Sequence, residues 1–223
     1  MTEKTPLCHK TTWDGMTLWQ SEEELKLTRD AVLLSGFATL RTGDRVCDLG
    51  CGVGNLLIGL ALRCREVTLD GVEVREGAAQ LCRRNLECNG LHGTVVTGDL
   101  NDRHEELPWG GYDLVVANPP YFPLGTGKVA PGEGRATART EGSYTLSAGC
   151  AVAGRLCRYG GKFALCIPPE RLGEVFVALK EAKLEPKRLQ LIQTGRDKEP
   201  RLALVEAQKG AKPGLRVLPV EID

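Results

Sequence analysis

The sequence has no uninterrupted apolar segment approaching the ~18 residues that a membrane-spanning helix requires. Residues 1–15 also lack the basic and then apolar order of a secretory signal peptide. Basic and acidic residues number 29 each, so the formal net charge is zero and no global field would attract a polyanion. These absences predict a cytoplasmic protein with no membrane partner, in which contact with nucleic acid depends on a local patch.

The nine cysteines include no C-x-x-C pair, and their odd number does not suit a closed set of disulfides. Cys47, Cys64, Cys82 and Cys166 fall inside predicted strands or helices, where a thiol behaves as a small apolar side chain. We therefore predict reduced, mostly buried cysteines and no metal site. The chain of 223 residues, 42% of them hydrophobic, is long enough for one catalytic domain with its own core.

Apolar runs of strand length alternate with helix-periodic segments from residue 45 onward. The predicted strands are 45–49, 67–74, 94–97, 112–117 and 163–167, and the predicted helices are 55–63, 76–89, 143–158 and 171–182. This alternation predicts βαβ units, hence an α/β fold whose mostly parallel sheet carries helices on both faces. Residues 189–193 and 202–207 flank a polar segment and predict an antiparallel hairpin at the sheet edge.

Two further segments complete the predicted organisation. Ser21 and Glu24 have the spacing of a capping box, and the apolar residues from Leu27 to Leu34 follow at helical intervals, so a helix should precede the sheet. We expect an N-terminal extension over residues 1–40 and the main domain over 41–223. Residues 121–140 are rich in Gly, Pro and Thr and predict a long loop at the substrate mouth.

A glycine-rich turn follows the first strand of the sheet. Asp48 leads Gly50, Gly52 and Gly54, and the turn opens a helix, so the backbone can approach a ligand lying across the strand ends. The spacing is G-x-G-x-G, whereas a dinucleotide fingerprint reads G-x-G-x-x-G. The tighter form led by an acid resembles the S-adenosylmethionine loop, in which Asp48 would face the amino-acid end of the cofactor.

Acidic residues also end the next two strands. Glu73 lies about 20 residues beyond the glycine turn, where a carboxylate accepts both ribose hydroxyls. Asp99 follows the third strand and resembles the residue that binds the adenine amino group in this class. Because parallel strands end at one edge, Asp48, Glu73 and Asp99 together predict a cofactor site.

The apolar strand 112–117 runs directly into Asn118-Pro119-Pro120-Tyr121-Phe122. Two prolines forbid strand continuation and leave carbonyls without competing local donors. The Asn118 side-chain oxygen and the Pro119 carbonyl suit the two N–H donors of a planar NH₂ group, while Tyr121 would stack on it. Phe122 would be a second stacking surface or a core residue. This pattern favours methylation of an amide or exocyclic amino nitrogen.

The N-P-P-Y motif resembles that of the amino-methyltransferases of adenine N6, guanine N2 or protein glutamine. More narrowly, the chain resembles the bacterial tRNA-Val adenine-N6-methyltransferase family over nearly its whole length. Besides the motifs above, the resemblance is carried by Asp14-Gly15-x-x-Leu18-x-Gln20, Asp30-Ala31-Val32-Leu33-Leu34, Ala138-Arg139-x-Glu141 and Pro169-Glu170-Arg171-Leu172.

The resemblance implies a Rossmann-like class I methyltransferase fold with a seven-stranded, mostly parallel sheet, S-adenosylmethionine as cofactor and tRNA as partner. It also implies that Gln20 and Asp30 border the cofactor or target pocket, although a loop hydrogen bond or an exposed helix position suits each equally well. Arg135 and Arg139 in the long loop are candidates for guiding a flipped nucleotide. Basic residues are frequent in the C-terminal third but are partly offset by acids. We expect a monomer or weak homo-oligomer.

Two alternatives remain open on the sequence alone. The same motif serves methylation of a release-factor glutamine, or of amino groups in rRNA or DNA. Only about 40 residues precede the glycine turn, which disfavours the two-part release-factor enzymes. The non-enzymatic alternative is a cofactor-binding RNA assembly factor that has lost turnover. The presence of all three strand-end acids and of the N-P-P-Y motif argues against it, because an inactive site need not keep these four features.

Overall fold

The computed structural model describes residues 8–21, 27–119 and 145–223. Its elements in chain order are β1 (Cys8–Trp13), β2 (Met16–Ser21), α1 (Arg29–Phe37), β3 (Arg45–Leu49), α2 (Asn55–Arg63), β4 (Thr68–Glu73), α3 (Glu76–Cys88), β5 (Val95–Thr97), β6 (Tyr112–Ala117), α4 (Leu146–Leu156), β7 (Cys157–Ile167), a 3₁₀ turn (Pro169–Arg171), α5 (Leu172–Glu181), β8 (Leu184–Gln193), β9 (Leu202–Lys209), β10 (Arg216–Val217) and β11 (Glu221–Ile222).

The main sheet has the strand order β5-β4-β3-β6-β7-β9-β8. The first five strands of this order are parallel, and β9 runs antiparallel to both β7 and β8. The predicted α/β fold with an antiparallel C-terminal hairpin is therefore confirmed. The two-residue strands β10 and β11 add to the expected seven because the residues after Gly214 run along the outer edge of β8.

Helices cover both faces of this sheet. Successive strand residues point to opposite sides, so Val46 packs with α1, α2 and α3, whereas Cys47 packs with α4 and α5. The same alternation separates Leu114 from Val115 in β6. All nine cysteines are free thiols, and six of them are buried within these layers. Across the described ranges, no helix is both long and apolar enough to span a bilayer.

The N-terminal segment differs from the prediction. Ser21 is not a helix cap; it ends β2, which pairs with β1 in a separate two-stranded sheet. The two-residue turn between these strands has Asp14 and Gly15 at φ angles of 45° and 83°. Helix α1 is capped instead by Thr28, whose Oγ1 accepts from the Ala31 N–H at 3.3 Å. The helix thus begins after Thr28, seven residues later than the Ser21 cap would place it, and Thr28 satisfies one of its free N–H groups.

The boundary between α4 and β7 also differs. The predicted helix 143–158 ends at Leu156, and the next strand begins at Cys157 rather than at residue 163. The register against β6 jumps from Tyr112–Cys157 to Leu114–Lys162, so the intervening residues form a bulge. Gly160 within it has a φ angle of 79°, a conformation that apolar periodicity does not reveal.

Candidate active site

The glycine turn between β3 and α2 is fixed by the end of β4. The N–H groups of Gly50 and Cys51 both donate to the Val72 carbonyl, at 2.9 and 3.0 Å. Gly50 and Gly52 have φ angles of 78° and 53°, and a Cβ at either position would meet nothing within 4 Å. Glycine is therefore required there by the backbone, and open space lies beside the turn.

Gly54 has a different reason for being glycine. Its φ angle is 89°, and a Cβ placed on it would lie 2.8 Å from the Sγ of Cys82 on α3. Both the left-handed backbone and the close packing of α3 therefore exclude a larger residue. The turn is held from two sides, by β4 and by α3.

Glu73 ends β4 and reaches back to the glycine turn. Its Oε2 accepts from the Gly52 N–H at 2.9 Å, and its Oε1 accepts from the Arg75 N–H at 2.9 Å. The residue is only 5% exposed. Oε1 also accepts from Arg75 Nε at 3.1 Å, so Oε2 is the oxygen that retains a second lone pair for a hydroxyl donor at the strand ends.

Asp48 and Asn55 flank the glycine turn with buried acceptors that lack donors. Within the part of the chain that the structure describes, Asp48 Oδ1 and Asn55 Oδ1 have no hydrogen-bond partner. Burial, and the nearby Glu73 carboxylate, raise the pKa of Asp48 to about 8. Two orphaned acceptors beside a turn with open space fit a ligand carrying an ammonium group, as S-adenosylmethionine does.

Asp99 follows β5 at the same edge of the sheet. Its Oδ1 accepts from the N–H and from the Nδ2 of Asn101, both at 2.8 Å, which fixes the carboxylate orientation. The parallel pairing of β4 with β5 places Glu73 opposite Thr97, two residues before Asp99. The structure therefore brings Asp48, Glu73 and Asp99 to neighbouring strand ends.

Asn118 lies beside the glycine turn because β6 is the direct neighbour of β3. In this parallel pair Asp48 is opposite Val116, and Asn118 follows two residues later. The Cys166 thiol on β7 donates to Asn118 Oδ1 at 3.0 Å. Pro119 is buried. The glycine turn, predicted to bind the cofactor, and Asn118-Pro119, predicted to hold the target, thus follow adjacent strands at one edge of the sheet.

The other residues predicted to bind the cofactor or the target lie elsewhere in the chain. Gln20 is on β2 and 5% exposed. Asp30, in the first turn of α1, accepts from Arg201 Nη1 at 2.7 Å, an ion pair that joins the helix to the start of β9. Tyr121, Phe122, Arg135 and Arg139 lie outside the described residues. Metal-binding groups of three or more His, Cys, Asp or Glu side chains do not occur in ranges 8–21, 27–119 and 145–223.

Sequence reasoning missed three residues that the geometry adds to this region: Asn55, Asn85 and Cys166. Asn55 directly follows the glycine motif, and that position was a usable signal. Asn85 is a buried polar residue of α3 that contacts both the hairpin and the glycine turn. Cys166 carries no sequence signal, because only the pairing of β6 with β7 brings it to Asn118.

Comparison with known families and proteins agrees with this geometry. Residues 28–128 match the family described as Methyltransferase small domain. The tRNA1(Val) (adenine(37)-N6)-methyltransferase of Tolumonas auensis is 31% identical over 199 residues, which cover 88% of this chain and 82% of the relative. The protein of the same name from Yersinia pestis is 35% identical over 160 residues, covering 70% of this chain and 62% of that relative.

Solved structures share the fold. A predicted O-methyltransferase from Agrobacterium tumefaciens superposes with a TM-score of 0.68 at 21% identity, covering 86% of each chain. The Thermus thermophilus 16S rRNA N2 methyltransferase, in complex with AdoMet and guanosine, has a TM-score of 0.64 at 21% identity over 94% of this chain and 52% of its own. These likenesses show the class I S-adenosylmethionine-dependent methyltransferase fold.

Proposed function

Because this chain belongs to the family of tRNA1(Val) (adenine(37)-N6)-methyltransferases, we propose that it methylates N6 of adenine 37 in a tRNA. Family membership and fold make it an S-adenosylmethionine-dependent methyltransferase. One observation carries the assignment of the site: the glycine turn and Asn118 leave the neighbouring strands β3 and β6 at the same edge. A methyl donor bound on the first would therefore lie against an amino group held by the second.

The cofactor side of the site is built from β3, β4 and the start of α2. When bound, S-adenosylmethionine supplies an electrophilic sulfonium methyl group. Asp48 and Asn55 offer buried acceptors for its ammonium group, since their Oδ1 atoms have no donor among the described residues. Glu73, whose Oε2 keeps a second lone pair, would accept from a ribose hydroxyl. Asp99 would accept from the adenine amino group.

The target side of the site is built from Asn118 and Pro119. The Asn118 Oδ1 and the Pro119 carbonyl would accept the two N–H donors of the adenine amino group and turn its lone pair toward the methyl group. The Cys166 thiol, 3.0 Å from Asn118 Oδ1, orients this amide. No strong general base is required, because the nitrogen becomes acidic only once it is methylated.

The assay uses purified protein, isotope-labelled S-adenosylmethionine and total RNA from cells that lack the protein, with products located by mass spectrometry. A single N6-methyladenosine at position 37 of one tRNA is the expected product. Label in rRNA, or no label in any RNA, would refute the proposal.

Asn118→Ala tests the proposal that the Asn118 side chain holds the adenine amino group. We expect it to abolish transfer while the cofactor Kd, measured by calorimetry, stays within about twofold, because the substituted side chain holds the target rather than the cofactor. RNA methylation by this variant at the wild-type rate would show that Asn118 does not hold the amino group.

A further inference from the structure

Two asparagines, Asn85 in α3 and Asn89 at the C-cap of this helix, hold the β1–β2 hairpin against the main domain. Asn89 accepts from the Thr17 N–H at 2.8 Å and donates to the Thr17 carbonyl at 2.7 Å. One helical turn earlier, Asn85 accepts from the Trp19 N–H at 2.7 Å and donates to the Trp19 carbonyl at 3.0 Å. The two amides thus bind alternate residues of β2 as a neighbouring strand would.

Asn85 makes one contact that Asn89 does not. Its Nδ2 also donates to the Val53 carbonyl, at 2.8 Å, inside the glycine turn. Asn85 is fully buried, and both of its N–H donors and its oxygen are bonded to backbone groups. An aspartate would fit the space but would point an acceptor at two carbonyls, which leaves all three groups unsatisfied.

Side-chain packing also joins the hairpin to the glycine turn and to α3. Trp19 packs against Val53, Ala78 and Leu81, and the Arg84 guanidinium lies 3.5 Å from the centroid of its ring. The residue after Trp19 is Gln20, which is buried on the hairpin. One buried amide therefore joins the strand that carries Gln20 to the turn that carries Gly52.

We propose that Asn85 is a positioning residue for cofactor binding, which sets the glycine turn and the β1–β2 hairpin in register so that Gln20 and Gly52 face one cofactor. This inference rests on the proposed cofactor site. Because the same amide restrains both segments, cofactor binding at the turn also stabilises the contacts of Asn85 with β2, and loss of the Asn85 contact with the turn weakens binding.

The test compares Asn85→Asp with Asn89→Asp in the full chain, using calorimetric titration with S-adenosylmethionine. Both variants disturb the hairpin, but only the first disturbs the glycine turn. We expect Asn85→Asp to weaken binding about tenfold, a loss of about 1.4 kcal/mol, and Asn89→Asp to change it by less than about twofold. Asn85→Ala, which introduces no charge, should lie between the wild type and Asn85→Asp.

Hydrogen exchange provides a readout that a general loss of stability would not move. In the wild type, S-adenosylmethionine should slow exchange of the Thr17 and Trp19 amides, and in Asn85→Ala this cofactor-dependent protection should disappear. Equal weakening by the two aspartate variants, or wild-type affinity in Asn85→Ala, would overturn the inference.

Glu73→Ala separates this inference from the proposed site on which it rests. If Glu73→Ala binds the cofactor as tightly as the wild type, the proposed cofactor site is wrong. If Glu73→Ala loses binding while Asn85→Ala does not, the site is right and the positioning role is wrong.

Discussion

Replacing Asp48 with asparagine should alter how stability depends on pH. The pKa of this buried carboxyl is raised from 3.8 to about 8 by burial and by Glu73. Between these values the unfolded chain has lost the proton while the native chain still holds it. The native state therefore binds more protons, and the contribution of Asp48 to stability is fully present below the unfolded pKa and is lost as pH rises toward 8.

The size of the effect follows from proton linkage. One proton of difference changes the free energy of unfolding by about 1.4 kcal/mol per pH unit. From about pH 5 to about pH 7, Asp48 should thus cost the wild type about 3 kcal/mol. An asparagine side chain has nearly the same shape and does not titrate, so Asp48→Asn should not show this loss, and all other titrating groups cancel in the comparison.

Urea unfolding of both proteins across this pH range measures the effect directly. The difference in unfolding free energy should move steadily in favour of Asp48→Asn as pH rises. Saturating S-adenosylmethionine should flatten the wild-type profile, because its ammonium group favours the ionised carboxylate. Parallel profiles for the two proteins without cofactor would refute the electrostatic argument.

Two further predictions concern neighbours of the same site. Cys166→Ala removes the thiol donor to Asn118 and should lower kcat about fivefold with little change in the KM for cofactor. Cys166→Ser keeps a donor and should stay near the wild-type rate. Equal rates for both variants would show that this hydrogen bond does not contribute to catalysis. Gly54→Ala places a methyl group against Cys82 at a positive φ and should lower the free energy of unfolding by about 2 kcal/mol in urea titrations. Adding Cys82→Ala to this variant should restore the stability lost to the steric clash but not the stability lost to backbone strain. A Gly54→Ala variant as stable as the wild type would contradict the prediction.

Much of the sheet was predictable because its central strands are short, apolar and sharply bounded. The bounds of β3, α2 and β6 agree with the prediction residue by residue. The convergence of Asp48, Glu73, Asp99 and Asn118 was also predictable, since parallel strands bring their carboxyl ends to one edge. Whether those side chains act as assigned stays a prediction until the variants are tested.

The β1–β2 hairpin was not predicted, and the reason is physical. Five of the six residues of β1 are exposed, so the strand lacks the alternation that marks a half-buried strand. The Asp14-Gly15 pair was the available signal, because both residues adopt the positive φ angles that such a turn requires. Asn85 offered none, since its partner Trp19 is 66 residues away along the chain.

The position of β9 between β7 and β8 has a consequence for biosynthesis. During elongation from the ribosome, β7 and β8 are made before the strand that separates them, so each presents an unpaired edge until residues 202–209 emerge. Glu206, buried on β9, then binds Arg188 and Thr39 and so links the late strand to the end of α1. A nascent chain in which β7 and β8 have emerged but residues 202–209 have not would therefore be prone to aggregation, and chaperone binding should be strongest at that stage.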